Sequence, residues 1–291
     1  MERRTQSQAS DLPEPEGRPG DAVRPLPAGQ QRAELLHTLA DGIATVVIHH
    51  PAKRNAMTAA MWRQLPRLLA DLAAEPTLRA LVLTGADGTF CAGADISALA
   101  PSRSRDEEDH AVEEPEEDTK DLARYAEEAL AAFPRPTLAA IRGYCVGGGS
   151  QLAGACDLRF AEEGALFGIT PAKLGIVYPS SSTRRLVALV GPATAKYLLF
   201  SGELIDAARA LRTGLVDEVL AIGELDRRVA EFTRVLASRS RLTQSAAKEF
   251  ADGRTDRDAY WAAQASASTD TAEGVAAFLE RRPPRFSWPQ G

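Results

Sequence analysis

Phe90-Cys91-Ala92-Gly93-Ala94-Asp95-Ile96 and Gly143-Tyr144-Cys145-Val146-Gly147-Gly148-Gly149 are the two stretches on which the reading of this chain turns. Each follows an apolar run with the composition of a buried strand, Ala80-Leu81-Val82-Leu83-Thr84 before the first and Leu138-Ala139-Ala140-Ile141 before the second. Each is read as passing through glycines into a helix. The first N–H groups of a helix have no partner within it, so two such junctions can aim backbone donors at one anionic oxygen. Small residues suit the task, because a bulky side chain would hold a ligand away from the peptide N–H.

Upstream, Glu34-Leu35-Leu36-His37-Thr38-Leu39 and Ile43-Ala44-Thr45-Val46-Val47-Ile48 flank Asp41-Gly42, the signature of a tight hairpin. Thr58 is placed to cap a helix with Met61, Leu65, Leu68, Leu69 and Leu72 on one face. Strand and helix patterns then alternate through Ala161. After Phe167 the pattern reads as helical throughout: Ser182 to Val190, Ala193 to Phe200, Asp206 to Thr213, Glu224 to Ser238, Leu242 to Asp252, Asp258 to Ser268 and Thr271 to Arg281. Residues 1–32, rich in Gln, Pro, Gly and charge, hold too little apolar surface to order themselves and are read as a tail. The acid-dense run from Pro101 to Asp118, which includes His110, is read as a mobile connection, because like charges packed so densely repel. The resulting division is a tail over 1–32, a mixed strand-and-helix domain over 33–222 and a helical region over 223–291, whose catalytic and oligomerisation roles are what the resemblance given below implies.

With 291 residues, 44 % hydrophobic and 25 % charged, and a net charge of −6, the chain has the makeup of a globular metabolic protein. It lacks an apolar run long enough to span a bilayer, and Met1-Glu2-Arg3-Arg4-Thr5-Gln6 leads into polar residues rather than an apolar signal core, so a cytoplasmic location is expected. The acidic balance and the lack of a basic stripe with interleaved aromatics argue against nucleic acid. Cys91, Cys145 and Cys156 lack metal-ligand spacing and read as reduced interior thiols, although Cys91 is close enough to the first junction for alkylation to block a ligand there. His49 and His50, at a strand end, read as structural.

The paired junctions resemble the oxyanion hole of the crotonase (enoyl-CoA hydratase/isomerase) superfamily, and the resemblance runs from about Leu35 onward. Its other landmarks are His50-Pro51-Ala52-Lys53-Arg54-Asn55-Ala56-Met57, Ala155-Cys156-Asp157-Leu158-Arg159-Phe160-Ala161, the stretch from Phe167 to Tyr178, and Glu273-Gly274-Val275-Ala276-Ala277-Phe278-Leu279-Glu280-Arg281-Arg282-Pro283. The resemblance implies an α/β fold, the crotonase/ClpP-like spiral of stacked β-β-α units with a C-terminal helical trimerisation region. It implies a homotrimer or a dimer of trimers acting on an acyl-CoA or acyl-carrier-protein thioester, with coenzyme A as part of the substrate and no separate cofactor. Carried over residue by residue, the hole donors become the N–H groups of Ala94 and Gly148. Lys53, Arg54, Ala56, Ala92, Asp95, Ile96, Gly147, Gln151 and Arg281 become the substrate- and CoA-binding set.

Hydratases of this superfamily carry one carboxylate three residues after the second donor and another after the Phe-Gly pair, where this chain has Gln151 and Pro171. Neither is a base, and each missing acid or base removes roughly 10²–10⁴-fold from a hydration. Ile169-Thr170-Pro171-Ala172-Lys173-Leu174-Gly175-Ile176-Val177-Tyr178 resembles the corresponding stretch of methylmalonyl-CoA decarboxylases, a branch that usually has histidine where Ala94 stands. That similarity implies that Thr170 and Tyr178 face the substrate, and it favours decarboxylation of a malonyl- or methylmalonyl-type thioester, which needs a stabilised enolate but no base. The alternatives are a hydratase or isomerase with non-standard acid/base residues and an inactive thioester-binding paralogue.

Overall fold

In this computed structural model the described residues are 32–95 and 119–288. Ile96, the N-terminal tail and the acidic connection with His110 therefore lie outside the described residues.

β1 (Glu34–Ala40) and β2 (Ile43–His49) form the expected antiparallel hairpin. Asp41 and Gly42 take φ of 52° and 75°, the paired left-handed conformation of a type I′ turn whose twist matches the strands it joins. Alternation is strict along β2: Ala44, Val46 and Ile48 are buried and the residues between them half-buried. Thr58 caps α1 (Ala59–Ala73), its hydroxyl accepting from Met61 N at 3.3 Å, and the whole anticipated apolar face is buried together with Trp62.

β3 (Ala80–Gly85), β4 (Thr137–Ile141), β6 (Leu158–Glu162) and β9 (Glu218–Leu220) add in parallel to β2, giving a six-stranded sheet of order β1-β2-β3-β4-β6-β9. Both faces are covered, which is why β3 and β4 read as unbroken apolar runs. Leu81, Leu83, Ala139 and Ile141 face the main core, with α1, α2 (Thr119–Ala131) and α3 (Gly148–Ala155). Val82, Leu138, Ala140 and Phe160 face the other way, onto Leu225 and Val229 of α6 (Leu225–Ala237).

Two sequence expectations need correction. Leu138–Ile141 does not pass directly into a helix: Tyr144–Val146 forms a further strand, β5, in a second sheet with β7 (Leu166–Gly168) and β8 (Ile205–Asp206). The region after Phe167 is not wholly helical, because β8 pairs with β7 and β9 extends the large sheet. Strands of two or three residues are too short to show a period. The helices there otherwise follow the sequence reading: α4 (Ser180–Ser201) breaks at Gly191 and Pro192 between its two expected halves, and α5 (Ala207–Thr213), α6, α7 (Arg241–Ala251), α8 (Asp258–Ala267) and α9 (Asp270–Glu280) come in the expected order.

Candidate active site

The first junction is laced into the second sheet. Cys91 forms a parallel backbone β-bridge with Cys145, both side chains remaining free thiols, with Cys91 N donating to Tyr144 O at 2.8 Å and Val146 N to Cys91 O at 3.0 Å. On its other side Met57 N donates to Gly93 O and Asp95 N to Met57 O, each at 2.8 Å, and Ala92 N donates to Arg54 O at 3.0 Å. Gly93 N points at Cys91 Sγ. Alternation of this kind satisfies every N–H from Cys91 to Asp95 except that of Ala94, which makes no hydrogen bond among the described residues.

The second junction supplies the complement. Gly147, at φ 54° and ψ −114°, turns the chain out of β5 in a conformation that suits only glycine. Its own N–H donates to Gly168 O at 2.8 Å, and the next, on Gly148, starts α3 without a partner among the described residues. A methyl group on Gly148 would sit 2.9 Å from Trp62 Cζ2 and 3.3 Å from Ala94 N, so the two unpaired donors border the same small space. Thr170 lies beside them: a methyl on Gly147 would come within 3.6 Å of its Oγ1, and that side chain caps no N–H of the turn it begins.

These groups open into a pocket of about 320 Å³ lined by Trp62, Ala92–Ala94, Gly147, Gly148 and Gln151, together with Thr170, Pro171, Ile176 and Tyr178. A larger cleft of about 930 Å³, bordered by Lys248, Arg254, Arg257 and Trp261, is walled by charged side chains and includes neither donor. Two backbone N–H groups on the wall of a largely apolar pocket can hold one developing negative charge, and the low dielectric strengthens that hold.

The sequence-derived residues divide. Ala92, Ala94, Gly147, Gly148, Gln151, Thr170 and Tyr178 meet at this pocket. Lys53 pairs with Asp95 instead of standing apart from it, its Nζ 2.8 and 2.7 Å from the two carboxylate oxygens. Arg54 stacks over the Tyr144 ring at 5.0 Å, and the carbonyl of Ala56 lies 2.7 Å from His50 Nδ1. Asn55 ties this turn to the next loop, donating to Ala86 O at 2.8 Å and Thr89 O at 2.6 Å, so His50 to Asn55 braces the pocket's rim. Arg281, the left-handed C-cap of α9, is not among the residues lining the pocket. Cys91 is the reduced interior thiol that the sequence suggests: it is fully buried, and burial pushes its thiol up to about 12, which disfavours alkylation in the folded protein.

Glu127 was not singled out from the sequence. It projects from α2 behind Gln151 and is 1 % exposed. Gln151 Nε2 donates to its Oε2 at 2.6 Å, Ser182 Oγ donates to the same oxygen, and Arg185 pairs with the other. Burial raises its carboxyl above the usual range, against the opposing pull of Ser182, Gln151 and Arg185. Tyr178 is held well above the ordinary phenol value, first by burial and then by the charge of Glu127. The signal available in the sequence was positional: Ala123, Ala126 and Leu130 trace the buried stripe of α2, and Glu127 falls on it.

The model of the enoyl-CoA hydratase/isomerase family matches residues 38–289 of this chain. The chain belongs to that family. It is 33 % identical over 259 residues to the bovine (Bos taurus) enoyl-CoA hydratase domain-containing protein 2, mitochondrial, covering 84 % of each. The structure is similar to that of an enoyl-CoA hydratase/isomerase family member at 38 % identity and a TM-score of 0.80, covering 89 % of this chain and 100 % of the other. It is also similar to the enoyl-CoA hydratase from Bacillus anthracis at 29 % identity and a TM-score of 0.76, covering 87 % of this chain and 98 % of the other. The fold is that of the crotonase family. The finer resemblance to methylmalonyl-CoA decarboxylases finds no counterpart in the names of these three relatives. Among the described residues, no helix is long and apolar enough to cross a membrane, and no cluster of three metal-ligating side chains occurs.

Proposed function

We propose that this family member binds an acyl-CoA thioester and catalyses enoyl-CoA hydration or isomerisation through a thioester enolate, using acid/base groups other than the family's usual carboxylates. The observation that carries the reading is the pair of unpaired N–H groups, on Ala94 and Gly148, facing one space at the wall of the pocket. A donor aimed at the developing oxyanion is worth roughly 3–4 kcal/mol of barrier, and the names of the relatives favour hydratase or isomerase chemistry over the decarboxylation that Thr170 and Tyr178 suggest. Coenzyme A enters as part of the substrate. Because the charge is held by backbone donors, the reading calls on no further cofactor.

Assembly into a homotrimer or dimer of trimers is part of the same proposal. Val275, Phe278 and Leu279 support it, since these three side chains of α9 are exposed and recur at helical spacing as an apolar stripe on this chain. Sedimentation of the intact protein as a monomer at micromolar concentration would contradict the assembly.

The function is tested by supplying crotonyl-CoA, a 3-enoyl-CoA and methylmalonyl-CoA to the purified full chain, following hydration, double-bond migration and CO₂ release. The expected result is turnover of an enoyl-CoA in preference to methylmalonyl-CoA. Release of CO₂ without enoyl-CoA turnover would move the assignment to the decarboxylase reading, and failure to bind any of the three by calorimetry would reject both.

A further inference from the structure

We propose that Glu127 is the proton reservoir of this site, exchanging a proton with the substrate's Cα through the hydroxyl of Tyr178 and a water in the cavity between them. The proposal rests on the thioester-enolate reading above and names the acid/base groups which that reading leaves open.

The geometry begins with the absence of an ionisable group at the usual positions: Gln151 and Pro171 line the pocket and neither titrates. Behind Gln151, a second cavity of about 10 Å³ is lined by Glu127, Ser150, Gln151, Tyr178, Ser182 and Arg185, among others. That volume is on the order of one water, and the lining offers it several polar partners. Tyr178 lines both this cavity and the substrate pocket. It is the one titratable side chain common to the two.

The surroundings of Glu127 suit a group that changes protonation state. Facing it are Arg185 and Ser182 from α4, Gln151 from α3, its neighbour Glu128 on α2, and Tyr178, itself near the buried thiol of Cys145. Arg185 and the two hydrogen bonds stabilise the carboxylate, whereas burial and Glu128 oppose it, and the balance leaves the carboxyl above its ordinary value. The phenol of Tyr178 is raised as well, so it stays protonated and works as a relay instead of a free base.

The proton balance is simple. When an enolate is quenched, the O–H bond of Tyr178 breaks as a C–H bond forms at Cα, and the thioester carbonyl is restored from the enolate electrons. The water passes a proton to the phenolate and takes one from the Glu127 carboxyl, leaving a carboxylate paired with Arg185. Abstraction at Cα runs the same steps backwards and ends with Glu127 protonated. The network also sets the direction of Gln151. Its Nε2 donates to both Glu127, at 2.6 Å, and Ser182, at 3.2 Å, which leaves Oε1 as the acceptor available to the pocket. Glu127 is thus a positioning and proton-holding residue acting through its neighbours, without contact to substrate.

Acetoacetyl-CoA, whose bound enolate absorbs in the near ultraviolet, tests this in magnesium-free buffer. With the unmodified protein the enolate band is expected to persist at neutral pH and to fade in acid, where Glu127 is already protonated in the complex with the keto form and cannot take up the Cα proton. In Glu127→Gln no internal acceptor remains, so the midpoint should rise by at least about one pH unit, a tenfold drop in bound enolate at any pH well below both midpoints. Glu127→Asp should restore most of that shift. Tyr178→Phe leaves the Glu127 cluster intact: its midpoint should stay near that of the unmodified protein, while exchange of the Cα proton in D₂O slows by about 10²-fold. A split of this kind is not the mark of a merely structural side chain, and the Tyr178 arm stands even if Glu127→Gln fails to fold. Superimposable pH profiles for the unmodified protein and Glu127→Gln, or unchanged exchange in Tyr178→Phe, would overturn the proposal and leave the thioester-enolate function standing. Failure of acetoacetyl-CoA to bind would overturn both.

Discussion

Replacing Gly148 with alanine probes the two-donor arrangement with a single methyl group. The N–H is kept, so any loss must come from the space in front of it. The added Cβ would stand 2.9 Å from Trp62 Cζ2 and 3.3 Å from Ala94 N, both closer than an ordinary van der Waals contact of about 3.5–4.0 Å. Trp62 is fully buried, so its ring or α3 must shift by an appreciable fraction of an ångström or the methyl must occupy the oxygen's position. A misplacement on the order of 1 Å at a reacting centre costs about 10²-fold, and loss of one hole donor about 10²–10³-fold, or ~2.7–4 kcal/mol of barrier. Turnover of an enoyl-CoA by Gly148→Ala should therefore fall by about 10²-fold or more. A helical control away from the site is Gly274→Ala in α9, where a methyl meets only the Phe286 ring, at 3.5 Å. That change should leave turnover within about twofold and raise stability by up to ~1 kcal/mol through helix propensity. Steady-state kinetics and thermal melts of the two variants decide the matter. Comparable activity in Gly148→Ala and the unmodified protein would mean that the space between Ala94 and Gly148 is not where the charge develops.

Thr58→Ala should lower stability by about 1 kcal/mol by removing the acceptor for Met61 N at the start of α1, and an unchanged urea midpoint would contradict that cap. Gln151→Glu, which restores a carboxylate at the family's usual position, should not simply rescue hydration: its oxygen would replace an amide nitrogen 2.6 Å from Glu127 Oε2, and two like charges so close share one proton. The raised carboxyl then leaves stability intact at acid pH and lowers it as pH climbs above the ordinary glutamate range, so a melting temperature independent of pH between 5 and 8 would refute the contact. Cys91 should resist iodoacetamide in the folded protein at pH 8, since its buried thiol is pushed up to about 12, and modification as fast as in urea would show that it is open to solvent.

Local patterns made a good part of this architecture legible. Asp41-Gly42 between alternating runs gives the β1–β2 hairpin because few other sequences take two successive left-handed residues, and Thr58 before an apolar stripe gives the start of α1 because its hydroxyl answers an N–H the helix leaves open. The paired glycine junctions pointed to an anion-holding turn on the same grounds: unpaired donors and small residues are properties of a short segment. What the sequence could not show is which segments meet. β5, β8 and β9 are two or three residues long and exist as strands only because a neighbour supplies their hydrogen bonds. Ala94 and Gly148 border one space because Met57 and Cys145 lace the first junction from opposite sides, and Trp62 presses on Gly148 because α1 packs beneath it. Glu127 looked like one more acid on a helix until α3 and α4 brought Gln151, Ser182 and Arg185 around it. Backbone periodicity and capping act over a few residues and are written in the local sequence, whereas the burial of a charge and the direction of a donor depend on partners 24 to 58 positions away, which only tertiary packing selects.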